Sequence, residues 1–242
     1  MQRYFALNVD SNQIFLEEGD VFHVTKVMRG KIGDNIIAIF NSKAYLGEIV
    51  SLSPLVIKNS GELQEKSKEL DVETTLFFAL AKGDKIDFVI QKATELGVSK
   101  IVLIKTEHCI VKMDNEDLKK KINNRYYKIA KEASEQSERY VIPSILGVYD
   151  ISNIPASMLS EINLLAYEKE NYEPINFGFI KGKKSVSILI GPEGGLTTKE
   201  VEHLIKSGFK LVSLGKRILR TETAAITGLS MINMVIENEN TL

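Results

Sequence analysis

The first 60 residues alternate short apolar runs with polar turns, a pattern typical of β-strands. The runs predict strands at 13–16, 35–40, 44–52 and 55–58. Between two of these runs lies the pair Asn41-Ser42, which suits a tight hairpin turn. We therefore expect a small β-barrel or another β-rich fold at the N-terminus.

The segment from residue 59 to 71 is almost purely polar, with one glycine and two isolated leucines. Such a composition is typical of a linker or an exposed connection. We place a domain boundary near residue 71, which predicts two domains, 1–71 and 72–242.

After residue 71, apolar runs alternate with helical patterns, which is typical of an α/β domain with a largely parallel sheet. Strands are predicted at 74–81, 101–104, 163–167, 186–190 and 211–214, and helices at 84–97, 117–137, 197–207 and 223–237. Asp84 is expected to cap the first helix, and Thr197 and Glu200 fit a capping box. The last helix is apolar on more than one face, which suggests a partner subunit.

Composition excludes several function classes. The 242 residues carry 31 basic and 32 acidic side chains, so net charge does not indicate a polyanion binder. The single cysteine, Cys109, rules out an intramolecular disulfide, and the scattered histidines do not suggest a metal site. No apolar stretch reaches the length of a membrane span, so we expect a cytoplasmic protein that has no membrane partner. We also expect no bound metal.

Three polar loops directly follow predicted strands. One is GPEGG at 191–195, the second is residues 215–225, and the third is residues 167–170. In an open α/β sheet, ligands bind outside the carboxyl ends of strands, so the loops suggest one shared pocket. Arg220 and Glu222 are candidates for orienting a substrate or moving a proton. The alternative is a turn chosen for geometry, with Glu222 as a favourable charge at a helix start.

The predicted helix at 117–137 has a basic face. Its cations are Lys119, Lys120, Lys121, Arg125, Lys128 and Lys131. A solvated helix face and a phosphate-contacting stripe both fit this pattern, and charge alone does not separate them.

Motifs along almost the whole chain resemble the RsmE family of 16S ribosomal RNA methyltransferases, which use S-adenosylmethionine to methylate N3 of a uridine. The motifs with this resemblance are MQRYF at 1–5, HVTKVMRGKIGD at 23–34, KGDKIDFVIQKATELGVSKI at 82–101, EASEQSER at 132–139, LLAYEKE at 164–170, IGPEGGLTTKEVE at 190–202 and LGKRILRTETAAI at 214–226.

The resemblance implies an N-terminal PUA-like β-barrel that binds RNA and a C-terminal SPOUT domain with a trefoil knot, acting as a homodimer. Carried over by motif, the residues expected around S-adenosylmethionine are Leu165, Ala166, Tyr167, Gly191, Pro192, Glu193, Gly195, Leu214, Gly215, Ile218, Leu219, Arg220, Thr223 and Ala224. We expect Arg220 or Glu222 to act on the edge of the uracil. Arg220 would stabilise developing negative charge, and Glu222 would act as a base or orient the ring.

RNA is expected to contact local basic patches that could line a groove between the domains. The candidates are Arg3, Lys26, Arg29, Lys31, Lys120, Arg125, Gln136 and Arg139. The expected partner is 16S ribosomal RNA or the small ribosomal subunit. Open alternatives are a knotted methyltransferase for ribose 2′-hydroxyls or transfer RNA, a catalytically silent RNA-binding protein, and a phosphate binder at the helix start after Gly195.

Overall fold

The computed structural model describes residues 1–109, 115–167 and 180–239. The chain divides into two compact units: residues 1–69 with 134–141 form the first, and residues 70–133 with 142–242 form the second. The contribution of residues 134–141 to the first unit was not predicted from the sequence. None of the helices in the described ranges combines the length and apolar character that crossing a bilayer requires.

The N-terminal unit is built on a six-stranded sheet. Its strands are β1 (Arg3–Phe5), β2 (Asn8–Val9), β3 (Gln13–Phe15), β4 (Asn35–Phe40), β5 (Lys43–Leu52) and β6 (Leu55–Glu62). They lie in the order β1-β4-β5-β6-β3-β2, with β1 parallel to β4 and the other neighbours antiparallel. Helix α1 (Glu18–Phe22) continues into a π-helical turn (His23–Val27). The predicted β-rich N-terminal fold is confirmed.

The hairpin between β4 and β5 forms where the sequence predicts it. Asn41 and Ser42 both have positive φ values, +49° and +56°, as a two-residue turn with the right twist requires. Strand β6, however, continues to Glu62, so the linker prediction was wrong for residues 59–62. The reason is that the long strand β5 needs a partner along its length, and it pairs Gly47 with Asn59 and Tyr45 with Glu62.

Both faces of this sheet are covered. One face packs Tyr4, Ile14, Ile36, Ile49 and Ile57, together with Val24 and Ala38, into an apolar core. The other face carries a smaller cluster of Ile37, Ile39, Ala44 and Tyr140, against which Phe5 and Leu63 pack. Residues 134–141 therefore complete the unit, because Tyr140 covers a face that would otherwise be exposed.

The C-terminal unit is an α/β fold with a parallel sheet, as predicted. Its strands are β7 (Glu73–Ala79), β8 (Lys100–Lys105), β9 (Ser144–Asp150), β10 (Ile162–Ala166), β11 (Ser185–Ile190) and β12 (Phe209–Val212). They lie in the order β12-β10-β11-β7-β8-β9, and every neighbouring pair is parallel. Strand β9 was not predicted, and β12 begins and ends two residues before its predicted position.

Helices cover both faces of this sheet. They are α2 (Lys85–Glu95), α3 (Asn115–Lys121), α4 (Tyr127–Gln136), α5 (Thr198–Lys206) and α6 (Thr221–Glu239), and a π-helical turn (Ile122–Tyr126) joins α3 to α4. Along β7, Leu76 and Phe78 enter one core and Phe77 and Ala79 enter the other, all fully buried. Burial on both faces explains why the strands read as continuous apolar runs.

Caps were predicted at the N-termini of two helices, α2 and α5. Thr197 and Glu200 form the complete capping box of α5, which confirms that prediction. Asp84 lies at the N-cap of α2 but its side chain caps no backbone N–H, so that prediction was wrong. The Asp84 carboxylate lies instead 3.5 Å from Nη2 of Arg125.

Candidate active site at the carboxyl ends of three neighbouring strands

Tyr167, which directly follows β10, and the loops after β11 and β12 meet at one edge of the parallel sheet. The three strands are neighbours in the order β12-β10-β11, so their carboxyl ends are adjacent. Hydrogen bonds join the loops: the Tyr167 N–H donates to Val212 O at 3.1 Å, and the Thr221 hydroxyl donates to Gly191 O at 2.8 Å. The structure thus brings together two of the loops whose polar character suggested a shared pocket, and Tyr167, the described residue of the third.

These loops surround a cavity of about 320 Å³, within the range of small-molecule sites. Backbone edges and apolar side chains form most of its wall, and two arginines and one glutamate supply its charges. The lining residues are Ala166, Tyr167, Ile190, Gly191, Pro192, Glu193, Gly195, Leu196, Ser213, Leu214, Gly215, Arg217, Ile218, Leu219, Arg220, Thr221 and Ala224.

Glycines shape two of the loops. Gly195 has φ +69° and Gly215 has φ +118°, conformations that a side chain would strain. The Gly195 N–H closes a turn by donating to Pro192 O at 2.9 Å. A Cβ on Gly191 would press against Cγ of Leu196 at 3.2 Å. These positions need glycine because the backbone itself forms the cavity wall.

Most of the residues assigned to the cofactor from motifs lie at this cavity, but Leu165 and Thr223 do not. Leu165 is fully buried in the core between the sheet and α5. Thr223 is exposed on α6 without lining the cavity. Side chains alternate along a strand and rotate around a helix, so a contiguous motif includes residues that face elsewhere. Glu168, Lys169 and Glu170, in the third predicted loop, lie outside the described residues.

Lys85, which no motif argument selected, joins two of the loops. Its Nζ lies 2.7 Å from Oε1 of Glu193 and 3.3 Å from Oε2 of Glu222. Lys85 begins α2, Glu193 lines the cavity, and Glu222 lies in the first turn of α6. A sequence search could have flagged Lys85 only as one of several charges after β7, because its partners are more than 100 residues away.

The ion pairs set the charge state at the cavity edge. Burial acts to raise the pKa of Glu193, but the hydrogen bond from Lys85 and the nearby Lys85 and Lys82 charges outweigh it, so the pKa lies below its usual value. The hydrogen bond with Glu193, helped by Glu222, raises the pKa of Lys85. At neutral pH this edge therefore holds the Lys85 ammonium beside the ionised Glu193 carboxylate.

Two of the residues that line the cavity, Arg217 and Arg220, are arginines. Arg217 and Arg220 form no ion pair with any residue in the described ranges. Arg220 was predicted from sequence, whereas Arg217 was not selected. Unpaired guanidinium groups beside a cavity are suited to bind an anion or to stabilise developing negative charge.

Two of the basic residues predicted to contact RNA are buried in the N-terminal unit. Arg3 is 6% exposed and lies 2.8 Å from Glu65, with its guanidinium also facing the ring of Tyr140. Arg139 is 3% exposed and its Nη2 lies 2.6 Å from Glu69. These guanidinium groups serve the packing of their own unit.

The other predicted RNA contacts are exposed. Lys26, Arg29 and Lys31 lie on the segment from the π-helical turn to β4 and make no ion pair with the residues described. On the helical segment, Lys120 and Gln136 are exposed, while Arg125 pairs with Asp84 and Asp87. Lys131, which the pattern placed on the basic face, is only 5% exposed. The predicted stripe is therefore narrower than the sequence suggests.

In the described part of the chain, no group of three or more His, Cys, Asp or Glu side chains is arranged to hold a metal ion. Cys109 is a free thiol, with Sγ 3.4 Å from Leu80 O and 3.3 Å from Oγ1 of Thr106. The described cavity residues can bind a ligand, orient it and stabilise charge.

Comparisons with known proteins identify the family of this chain. An RNA methyltransferase domain model matches residues 68–233, and an RNA methyltransferase PUA domain model matches residues 16–56. The chain is 36% identical to ribosomal RNA small subunit methyltransferase E of Bacillus subtilis over 98% of both chains. It is 32% identical to the protein of the same name from Mesomycoplasma hyopneumoniae, covering 93% of this chain and 96% of that one.

Solved structures show the same architecture. The structure of ribosomal RNA small subunit methyltransferase E from Neisseria gonorrhoeae bound to S-adenosyl methionine is 28% identical and superposes with a TM-score of 0.85, covering 97% of this chain and 98% of that one. The family models, the full-length similarity and the fold all agree. The chain therefore belongs to the RsmE family of RNA methyltransferases.

Proposed function

We propose that this protein methylates N3 of a uridine in 16S ribosomal RNA, with S-adenosylmethionine as methyl donor. The observation that carries the proposal is the meeting of the 191–195 and 213–221 loops and Tyr167 around one cavity. The relatives named as small-subunit methyltransferases, and the neighbour bound to S-adenosyl methionine, support the substrate and the cofactor.

The cavity residues fit S-adenosylmethionine. Gly191, Gly195 and Gly215 leave backbone edges open at the wall, which suits the hydrogen-bonding edge of an adenine. Apolar side chains, among them Leu196 and Leu219, can pack on its faces. Glu193 provides a negative charge for a cationic ligand. When bound, S-adenosylmethionine supplies a methyl group activated by a positively charged sulfur.

The other requirements of the reaction, removal of the N3 proton and stabilisation of charge on the uracil, fall to residues of the protein. N3 must lose its proton as it gains the methyl group, and negative charge develops on the uracil carbonyl oxygens. A guanidinium group can stabilise this charge, and Arg220 is placed at the cavity without a described carboxylate partner. We therefore assign Arg220 as the stabiliser.

Glu222 is the alternative group for the uracil edge. Its carboxylate does not line the cavity, and its Oε2 pairs with Lys85 at 3.3 Å. To accept a proton, Glu222 would have to give up this ion pair. Replacing Glu222 with Gln is expected to alter the placement of Lys85 more than the proton transfer itself, and unchanged turnover would remove Glu222 as a base.

RNA binding is assigned to exposed cations. Lys26, Arg29 and Lys31 of the N-terminal unit are free of ion pairs with described residues, so they are available to phosphates. Lys120 offers a further exposed cation on α3. A ribosomal substrate implies that the protein works in the cytoplasm.

We also propose that the protein acts as a homodimer with a trefoil knot in its C-terminal unit. Ile218 is 86% exposed and Met234 of α6 is 50% exposed. Packing against a second copy would remove this apolar surface from water. The resemblance to the RsmE family implies the knot. In the sheet, β10 lies between β11 and β12, strands that come later in the chain.

The test is methylation of isolated small ribosomal subunits that lack this modification, with isotope-labelled S-adenosylmethionine. Digestion and mass spectrometry should then show labelled 3-methyluridine in 16S ribosomal RNA, and the Arg220→Ala variant should show much less. Label in a ribose 2′-O-methyl group or in transfer RNA would establish a different methyltransferase. Binding of RNA without cofactor binding, measured by calorimetry, would establish a silent RNA-binding protein.

A further inference from the structure

The loop that follows β8 forms a support for the cavity that no motif indicated. β8 ends at Lys105, and the Cys109 N–H donates to Thr106 O at 3.2 Å, which closes a turn over residues 106–109. None of these residues lines the cavity. The turn lies instead against the outer side of the 191–195 loop, where His108 makes the contact.

The imidazole of His108 holds two backbone carbonyls of that loop. Its Nδ1 lies 3.0 Å from Gly194 O and 3.1 Å from Gly195 O. Both carbonyls can only accept hydrogen bonds, so Nδ1 must carry the proton and donate to them. This requirement is met by the neutral Nδ1–H tautomer and by the imidazolium ion alike.

Two further contacts fix the same turn. A Cβ on Gly194 would lie 3.0 Å from Cβ of His108, so the loop backbone and the histidine approach as closely as glycine permits. The Glu107 N–H donates to Oε1 of Glu200 at 2.8 Å, and Glu200 also closes the capping box of α5. The 106–109 turn is thus joined to the glycine loop and to the helix that follows it.

We propose that His108 is a positioning residue for the cofactor cavity. Its imidazole holds the carbonyls of Gly194 and Gly195, so that the glycine loop is in its binding conformation before a ligand enters. Glycine-rich backbone is costly to order, and a loop ordered in advance spares the ligand that cost. The identity of the ligand, S-adenosylmethionine, rests on the proposed function.

The test compares His108→Ala with His108→Asn. The asparagine Nδ2 is as many bonds from the backbone as the histidine Nδ1, so it can donate to the same carbonyls. By calorimetry, His108→Ala should raise the Kd for S-adenosylmethionine about three- to tenfold, the effect of losing one or two hydrogen bonds. His108→Asn should recover most of the affinity, and RNA affinity should not change in either variant.

The matched control is His203→Ala. His203 is an exposed histidine in the last turn of α5, and its side chain does not support the loop. This variant should bind S-adenosylmethionine like the wild type. Wild-type affinity in His108→Ala would overturn the proposal, and so would an equal loss in His108→Ala and His108→Asn.

A second measurement separates this proposal from the proposed function. Hydrogen exchange of a peptide covering residues 191–200, without any ligand, should be faster in His108→Ala than in the wild type or in His108→Asn. If the wild type failed to bind S-adenosylmethionine while this exchange pattern held, the assigned cofactor would be wrong and the positioning by His108 would stand. Unchanged exchange in His108→Ala would overturn the positioning itself.

Discussion

The two units of the molecule use arginine in opposite ways. In the N-terminal unit, Arg3 and Arg139 are buried and paired with Glu65 and Glu69. At the cavity of the C-terminal unit, Arg217 and Arg220 pair with none of the described carboxylates. The first pair stabilises a fold, whereas the second is available to a substrate.

The arginines of the two units differ in the carboxylates that the fold places beside them. Glu65 and Glu69 belong to the polar segment 59–71, which the sequence presents as a linker. Removing a buried charge from water is costly unless a partner compensates for it, and this segment supplies the partners. An arginine in a motif therefore indicates function only if the fold leaves it without such a partner.

The largest expected effect is on stability. Arg139→Met should lower the free energy of unfolding of the N-terminal unit by about 3 kcal/mol, because it leaves Glu69 partly buried without its counterion. Adding Glu69→Gln should recover part of the loss, since the amide keeps an acceptor for the Tyr140 N–H at 2.8 Å. Urea unfolding of the full chain, followed by hydrogen exchange to resolve the two units, measures both variants.

The matched control is Lys26→Met, an exposed cation of the same unit, which should change the stability by no more than about 0.5 kcal/mol. Equal stability of Arg139→Met and Lys26→Met would show that the buried arginine contributes no more than an exposed one. The comparison between the two units would then fail.

The second effect is on catalysis. Arg220→Ala should lower kcat by about 100-fold, the usual loss when a charge-stabilising donor is removed from an active site. The melting temperature should stay unchanged because the side chain is exposed and not ion-paired in the described chain. Arg217→Ala is the matched variant from the same loop. If Arg217→Ala caused the larger loss of kcat, Arg217 would be the stabiliser in place of Arg220.

The sequence was most informative where local pattern determines structure. The hairpin at Asn41-Ser42, the capping box of Thr197 and Glu200, and the parallel α/β sheet all follow from turn chemistry, caps and periodicity. The loops around the cavity were found because strand ends meet at one edge of a parallel sheet. Each of these inferences needs only residues close in sequence or a general rule of sheet topology.

Long-range contacts could not be predicted in this way. Lys85 meets partners 108 and 137 positions away, and His108 contacts Gly194 across 86 positions. The carboxylate of Glu69, which pairs with Arg139, lies 70 positions before it. The pattern of a single sequence carries no signal for such pairs. Lys85 and His108, which contact the cavity loops, were therefore not predicted, and Arg3 and Arg139 were predicted to contact RNA although they are buried.

A third, smaller effect is on the salt dependence of RNA binding. Lys26→Ala, Arg29→Ala and Lys31→Ala should each reduce the slope of log affinity against log salt by roughly 0.7 to 0.9, the contribution of one phosphate contact. Filter binding to ribosomal RNA over a series of salt concentrations measures the slopes. Lys43→Ala is the control, because Lys43 of the same unit already pairs with Glu62 at 2.9 Å. If the slope fell as much in Lys43→Ala as in the other three variants, the effect would come from net charge alone.

The smallest expected effect is a shift in the pH dependence of cofactor binding. Lys85 holds the pKa of Glu193 below its usual value, so the carboxylate stays ionised to a lower pH than an ordinary glutamate. In Lys85→Met, burial still raises the pKa of Glu193, and it is opposed by a backbone hydrogen bond and the Lys82 charge but no longer by Lys85. The affinity for S-adenosylmethionine should then begin to fall at a higher pH than in the wild type.

Calorimetry from neutral pH downward measures this shift, and Lys85→Arg should restore the wild-type profile because it keeps the cation between Glu193 and Glu222. A profile in Lys85→Met that matches the wild type would mean that the Glu193 charge does not contribute to binding. Lys85 would then resemble the buried arginines of the N-terminal unit, as a charge that holds structure without acting on the ligand.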